Sequence, residues 1–388
     1  MIKNLFIKLI FSTLKDYYHI IFLMMNTSFD SKDTALISVL QGHFKGELNL
    51  ARVKLICLFI TALCKIKTIN YERLACGFDT NAKKESSYRR MQRFMKDYDF
   101  PLKIISSLIF NILPAKNDLV LVLDRTNWKF GSNNINILML GVSYKNVAFP
   151  LMFKMLDKRG NSDVQERIDL IKQYVNWFGK DTINCILADR EFIGGKWLEF
   201  LNDNQIRYFI RIRNNFKVYL YQKQREIPAF WLFNNLKIGE FYSYPKIVEL
   251  HGQQCYLSGQ KTIDRDGKME FLIIVSFNKP EQSLQYYKQR WQIETLFRGL
   301  KSSGFNIEDT HVSDLKRLEK LFSLTIIAFA WCYKIGDYID ENIRKITIKK
   351  HGRRAISVFK YGLDCLSKFL FTKKNPFENC LFNFLSCT

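Results

Sequence analysis

Leu119–Phe130 reads LVLVLDRTNWKF. Its first five residues are apolar at every position, so both faces of a strand built from them would be covered, as in the middle of a sheet. The apolar run stops at Asp124, and the expectation is a central strand ending there. Working outward, INILMLGVSYKNVAFPLMFKML (residues 135–156) reads as two more strands joined near Tyr144 to Asn146. Val164, Ile168, Ile171, Val175 and Phe178 recur at helical spacing. The apolar run CILA then ends at Asp189 within ADREFIG, Gly194 and Gly195 open a helix KWLEFLNDN, and RYFIRI supplies another strand. Strand, strand, strand, helix, strand, helix, strand is the order of an α/β domain with a mixed sheet. Two of its buried strands end in aspartate, at the sheet end where α/β folds place their ligands. One such aspartate needs no explanation beyond the turn it starts; two ask for a third partner.

Residues 214–277 are β-rich (KVYLYQ, FYSYPKIVEL, QQCYLSGQKTI, KMEFLIIVSF), with an inserted β subdomain expected over about 214–270. Next comes QYYKQRWQIETLFRGLK, Gln285 to Lys301. Wound as one helix at about 100° per residue, Tyr287, Arg290, Glu294 and Lys301 fall within a stripe roughly 60° wide. Ile293, Leu296, Phe297 and Leu300 form the apolar face opposite. An exposed ion pair between Arg290 and Glu294 explains the spacing equally well. The choice depends on whether Glu294 meets Asp124 and Asp189.

Three converging carboxylates repel one another unless a cation lies among them, so Asp124, Asp189 and Glu294 predict a divalent ion. Hard oxygen donors point to Mg²⁺, with Mn²⁺ able to substitute. Two such ions would serve an in-line attack on a phosphodiester. Arg290, Lys301 and Arg298 are then suited to phosphate oxygens, and Tyr287 to a phosphate, sugar or base. The chain carries 59 Lys+Arg against 37 Asp+Glu, a formal net charge of +22 spread along its length. That balance favours a polyanionic partner, with double-stranded DNA foremost; a generally basic protein is the plainer reading.

The 388 residues are enough for two or three domains. Residues 1–47 form an N-terminal extension, amphipathic over its first 25; Lys8, Lys15, Asp16 and His19 interrupt a run that would otherwise resemble a signal sequence. Residues 48–115 form a helical domain. In it, Ser86 and Ser87 are expected to cap a helix whose Arg89, Arg90 and Arg93 face DNA and whose Met91, Phe94 and Met95 face inward. Residues 116–313 are expected to form a catalytic domain around the three acids, and 314–388 a basic helical region for dimerisation or DNA contact. Nine cysteines are scattered singly without a C-x-x-C pair, which fits a reduced, cytoplasmic chain without structural zinc. The apolar segment Leu321 to Tyr333 is too short to span a bilayer, so no membrane partner is expected.

The spacing Y-x2-R-x3-E-x6-K at Tyr287, Arg290, Glu294 and Lys301 resembles the signature of the DDE transposases of the insertion sequence four family. VLDRTNW around Asp124, ADREFIG around Asp189 and RRMQRF at 89–94 resemble that family too, in the same order, from about residue 48 to 365. The resemblance implies an RNase H-like core with a β insertion, two Mg²⁺ ions on the three acids and a homodimeric synaptic complex, nucleoid-associated in the cytoplasm. Cut-and-paste transposition follows from it: binding of terminal inverted repeats, nicking, a hairpin intermediate, hairpin opening and transfer into target DNA. It also implies an aromatic in the insertion for base flipping, for which Trp231 is the candidate. A decayed DNA-binding remnant and an RNase H-like nuclease or resolvase are the alternatives; the intact acid set argues against the first, the long flanks against the second.

Overall fold

The computed structural model describes residues 32–44, 46–98, 100–131, 133–264, 266–350, 352–371 and 384. The first 25 residues, read above as amphipathic, lie outside the described residues. The chain divides into two compact units, one built from residues up to 99, 303–309 and from 321 onward, the other from 100–302 and 310–320.

The first unit opens with four helices, α1 (Lys32–His43), α2 (Leu50–Ile66), α3 (Tyr71–Ala75) and α4 (Lys84–Asp97). Asn49 caps α2 by accepting from Arg52 N at 3.0 Å, and Asn70 caps α3 from Arg73 N at 3.2 Å, each satisfying one of the first-turn N–H groups. Every residue of α2 from Leu55 to Lys65 is buried, so it is the centre of this unit. Phe59 of α2 meets Phe78 at 5.4 Å and Phe94 of α4 at 5.9 Å. The cap expected at Ser86 and Ser87 is not there. Instead α4 starts from Lys83, and Ser87 is buried on its inner face with Met91, Phe94 and Met95, its hydroxyl 3.5 Å from that of Thr80. The helix gains three residues because Lys83 O already accepts from Ser86 and Ser87 N.

The second unit starts with α5 (Leu102–Ile112) and the strands β1 (Leu119–Phe130), β2 (Asn133–Tyr144) and β3 (Val147–Met155), followed by α6 (Val164–Phe178), β4 (Ile183–Ala188), α7 (Gly195–Asp203) and β5 (Tyr208–Ile212). Lys145 and Asn146 have φ of 40° and 73°, the pair of left-handed residues of a two-residue hairpin turn whose twist matches its strands. β1 does not end at Asp124 as expected: it stays paired with β2 as far as Phe130↔Asn133. Only its parallel pairing with β4 stops, at Leu123↔Ala188. The polar residues after Asp124 keep the strand because β2 supplies hydrogen bonds on that edge. In α6 the buried side is Arg167, Leu170, Ile171 and Tyr174, rotated from the expected stripe, whose Val164, Ile168, Val175 and Phe178 are only half-buried. A capping box of Asp163 and Glu166 starts this helix.

The β-rich segment adds β6 (Lys217–Leu220), β7 (Arg225–Pro228), β8 (Phe241–Ser243), β9 (Val248–Leu250), β10 (Gln253–Ile263) and β11 (Met269–Ser276). The strand order is β3-β2-β1-β4-β5-β11-β10-β9-β6-β7, with β8 also on β10. β1, β4 and β5 are parallel, and β11 joins β5 antiparallel, so the segment extends the sheet rather than forming a detached body. After β11 the stretch expected as one helix is in three pieces: α8 (Ser283–Tyr287), a 3₁₀ turn over Lys288–Trp291, and α9 (Gln292–Leu300). Ser143 at the end of β2 has its hydroxyl 2.7 Å from Gln289 Oε1 and 3.0 Å from Gln292 Oε1, holding the tighter turn. Ile293, Leu296 and Leu300 are buried as expected.

Returning to the first unit, α10 (Leu315–Asn342) supplies residues from Leu321 onward, followed by α11 (Val358–Phe371). Phe329 stacks on Phe359 at 4.4 Å, and the thiols of Cys64 and Cys332 lie 3.7 Å apart in the interior. A Cβ placed on Gly362 would stand 1.8 Å from Cys332 O, and one on Gly336 2.0 Å from Val358 O. The two helices therefore touch backbone to backbone. Among the described residues no helix is long and apolar enough to cross a membrane.

Candidate active site

The parallel register Leu123↔Ala188 makes Asp124 and Asp189 the next residues on neighbouring chain segments, one strand spacing apart, about 4.8 Å. Both make the same local contact. Asp124 Oδ1 accepts from Arg125 N at 2.7 Å, and Asp189 Oδ1 from Arg190 N at 2.8 Å. The split helix closes the third side. Tyr287 OH donates to Asp189 Oδ1 at 3.2 Å. Arg290 Nη1 reaches Asp124 Oδ2 at 3.2 Å, and Arg290 Nη2 reaches Glu294 Oε1 at 2.5 Å. One phenol and one guanidinium thus tie together the three acids picked out from the sequence.

Burial and crowding mark the electrostatics. Burial pushes the Asp124 carboxyl up to about 6; the charges of Glu191 and Asp189 push the same way, against the Arg125 N–H and Arg290. The buried Tyr287 phenol is raised by its loss of water and by Asp189. Arg290 loses solvation too, but Tyr287, Asp124, Asp189 and Glu294 outweigh that and hold its proton more tightly.

The donor set suits a hard divalent ion on the Asp124 and Asp189 side, where two carboxylates converge and one is already hard to ionise. Arg290 occupies the space between Asp124 and Glu294, and among the described residues no three His, Cys, Asp or Glu side chains close into a metal cage. Asp124 and Asp189, with Glu294 across Arg290 from Asp124, are the residues that could hold the ion.

Sequence reading missed the layer behind these acids. Arg125 places Nε 3.3 Å from Glu191 Oε1 and Nη2 3.4 Å from Glu191 Oε2, a two-pronged grip between β1 and the segment that follows β4. The same guanidinium donates to Asn136 Oδ1 at 3.1 Å and to Asn161 Oδ1 at 3.1 Å. Asn136, almost fully buried, donates on to the carbonyls of Lys158 and Gly160. Buried Arg167 holds Glu191 O at 3.1 Å and Ser162 Oγ at 2.9 Å. The available signal was the repeated pair Asp124-Arg125 and Asp189-Arg190, with Glu191 following.

The other expected residues are placed differently. Lys301 Nζ lies 3.3 Å from Asn127 O and 5.7 Å from the Trp128 ring, on the extension of β1. Arg298 is exposed on α9. Trp231 is 58% exposed on a short 3₁₀ turn, Ala229–Leu232, edge-on to Phe230 at 6.4 Å, with no contact to the three acids among the described residues. Arg89, Arg90 and Arg93 stand exposed on α4 in the first unit.

The transposase DDE domain matches residues 117–331, more than half of the 388-residue chain. The chain belongs to that family. The matched region takes in β1, β4 and α9, and with them Asp124, Asp189 and Glu294. Among solved structures the chain is similar to a piggyBac transposase synaptic complex with hairpin DNA determined by cryo-EM. Identity there is 14% over 90% of this chain and 79% of that one, with a TM-score of 0.40. No curated protein matches the chain.

Proposed function

We propose that this DDE transposase is a cut-and-paste DNA transposase of the insertion sequence four type, with Tyr287, Arg290, Glu294 and Lys301 as its signature. Asp124, Asp189 and Glu294 are its catalytic acids and metal ligands. The observation that carries the reading is their joining, across three separate chain segments, by Tyr287 and Arg290. The strand order β3-β2-β1-β4-β5 with helices between the parallel strands supports an RNase H-like core, and β6–β10 correspond to the insertion within a catalytic domain of residues 116–313.

Magnesium, or manganese in its place, supplies Lewis-acid activation of the phosphodiester and of the attacking water or 3′-hydroxyl when bound. The protein's share is positional. Asp124, where the parallel pairing of β1 with β4 stops, and Asp189, just past the end of β4, hold hard oxygen atoms side by side, with backbone N–H groups fixing their rotamers. Arg290 neutralises the acids in the free protein and has the fork geometry to take a phosphate oxygen on DNA. Lys301, fixed at the β1 extension, and exposed Arg298 extend this contact along the backbone. Tyr287 orients Asp189. Arg89, Arg90 and Arg93 on α4 bind the terminal inverted repeats, Trp231 takes the flipped base, and two copies pair DNA ends for nicking, hairpin formation, hairpin opening and transfer.

The test is cleavage of DNA carrying the element's own ends, with Mg²⁺, by Asp124→Asn, Asp189→Asn and Glu294→Gln. Each variant is expected to lose cleavage, on the order of a thousand-fold or more, while still shifting end DNA in a gel. Cutting at wild-type rate by any one removes that residue from the site. For Arg290→Ala and Lys301→Ala the expected defect is in hairpin processing or strand transfer, measured on pre-nicked ends.

A further inference from the structure

Between α10 and α11, residues 343–357 read IRKITIKKHGRRAIS, with Arg344, Lys345, Lys349, Lys350, Arg353 and Arg354 and no acid. The backbone doubles back on itself. Ala355 N donates to Thr347 O at 2.8 Å, Lys349 N to Arg353 O at 2.8 Å and Gly352 N to Lys349 O at 2.8 Å. Ile348 and Arg354 form an antiparallel bridge, and Gly352, at φ +78°, supplies the left-handed position that closes the turn.

In such a ribbon alternate residues fall on opposite faces. Ile346, Ile348, Arg354 and Ile356 share one face, which is anchored at Ile346 and Arg354 while Ile348 and Ile356 stay exposed. Ile346 is buried, and Arg354 Nη2 lies 2.8 Å from Asp340 Oδ2. Asp340 Oδ1 accepts from Ile346 N at 2.6 Å, and Tyr361 OH donates to Arg344 O at 3.2 Å. The other face carries Lys345, Lys349 and Arg353, all exposed, separated only by Thr347, Ala355 and Ser357. Lys349 and Arg353 are cross-strand neighbours. A free hairpin is marginal at best. The contacts of Ile346, Arg354 and Arg344 O thus hold an exposed cationic face in place.

We propose that this hairpin is a second docking surface for duplex DNA, with Lys345, Lys349 and Arg353 on the phosphate backbone. A two-stranded ribbon fits the major groove of B-form DNA, whereas the deep, narrow groove of A-form RNA excludes it. Membrane insertion needs apolar side chains beside the cations, and this face has Thr347, Ala355 and Ser357 instead. The inference rests on the DNA-binding function proposed above.

The experiment measures binding of the full chain to a labelled duplex by fluorescence anisotropy across a salt series. The Lys345→Gln/Lys349→Gln/Arg353→Gln variant is expected to flatten the slope of log K against log salt by roughly 2.7, about 0.9 per lost phosphate contact. Its Tm should stay within a few degrees of wild type, because exposed surface charges contribute little to stability. Lys103→Gln/Lys180→Gln/Lys223→Gln, which removes the same charge from the second unit, should keep the wild-type slope. An unchanged slope in the hairpin variant, or equal flattening in both variants, overturns the proposal. So does loss of binding to phosphatidylserine vesicles with the DNA slope intact. A wild-type chain that binds no duplex sinks the transposase reading with it; a wild-type chain that binds, beside an unaffected hairpin variant, sinks the hairpin alone.

Discussion

Asp124 and Arg89 are charges kept in opposite ways. Asp124 is largely buried, held by a backbone N–H and by Arg290, and its carboxyl has moved to about 6. Arg89, with Arg90 and Arg93, stands in water on the outer side of α4. A buried charge acts through position, so losing one disrupts its neighbours. An exposed charge acts through number, so each loss is small, additive and screened by salt. Mutations in the second unit should therefore change what happens to bound DNA, and those on α4 how much DNA is bound.

The grip behind the acids gives the sharpest test of that division. Arg125→Ala should lower cleavage by roughly ten- to a hundred-fold and leave the salt slope of DNA binding alone; a slope that moves instead would make Arg125 a DNA contact. Next comes pH. Asp124 must be ionised to serve as a metal ligand, so Mg²⁺-dependent cleavage should fall about tenfold per pH unit below about 6. A rate flat between pH 7 and 5 removes Asp124 from that role.

The same shift has an opposite consequence for stability. The folded carboxyl has a pKa above its ordinary 3.8, so between about 4 and 6 the native state holds the proton better and stability drops as pH rises. Asp124→Asn should accordingly raise stability at pH 7.5, by about 1–3 kcal/mol, with the gain fading below pH 6. Denaturant melts at the two pH values measure it. Last and smallest, each single change among Arg89→Gln, Arg90→Gln and Arg93→Gln should flatten the salt slope by roughly 0.9 without altering cleavage of bound ends. A cleavage defect at saturating DNA would erase the distinction drawn here.

What could be read from sequence follows the same line between local and distant. Leu119–Leu123, CILA and the turn at Lys145-Asn146 announce themselves through neighbours in the chain. Tyr287, Arg290 and Glu294 were legible because helical spacing is local as well. The continuation of β1 to Phe130 was not, since it depends on β2 pairing with polar residues. Nor was Arg125, whose partners Glu191, Asn136 and Asn161 come from elsewhere in the sheet and its loops. Arg167 was hidden for another reason: a cation on the buried side of a helix contradicts the rule used to find that side.

The 3₁₀ turn over Lys288–Trp291 has a geometric effect of its own. Wound at about 120° per residue instead of 100°, it brings Arg290 into line with Tyr287, where an unbroken helix would leave it roughly 60° aside. It also swings Glu294 around by about 80° and lengthens the segment by about 2 Å. These four residues therefore act as a phase shifter, setting the rotational timing between the phenol that faces one aspartate and the glutamate that answers the other.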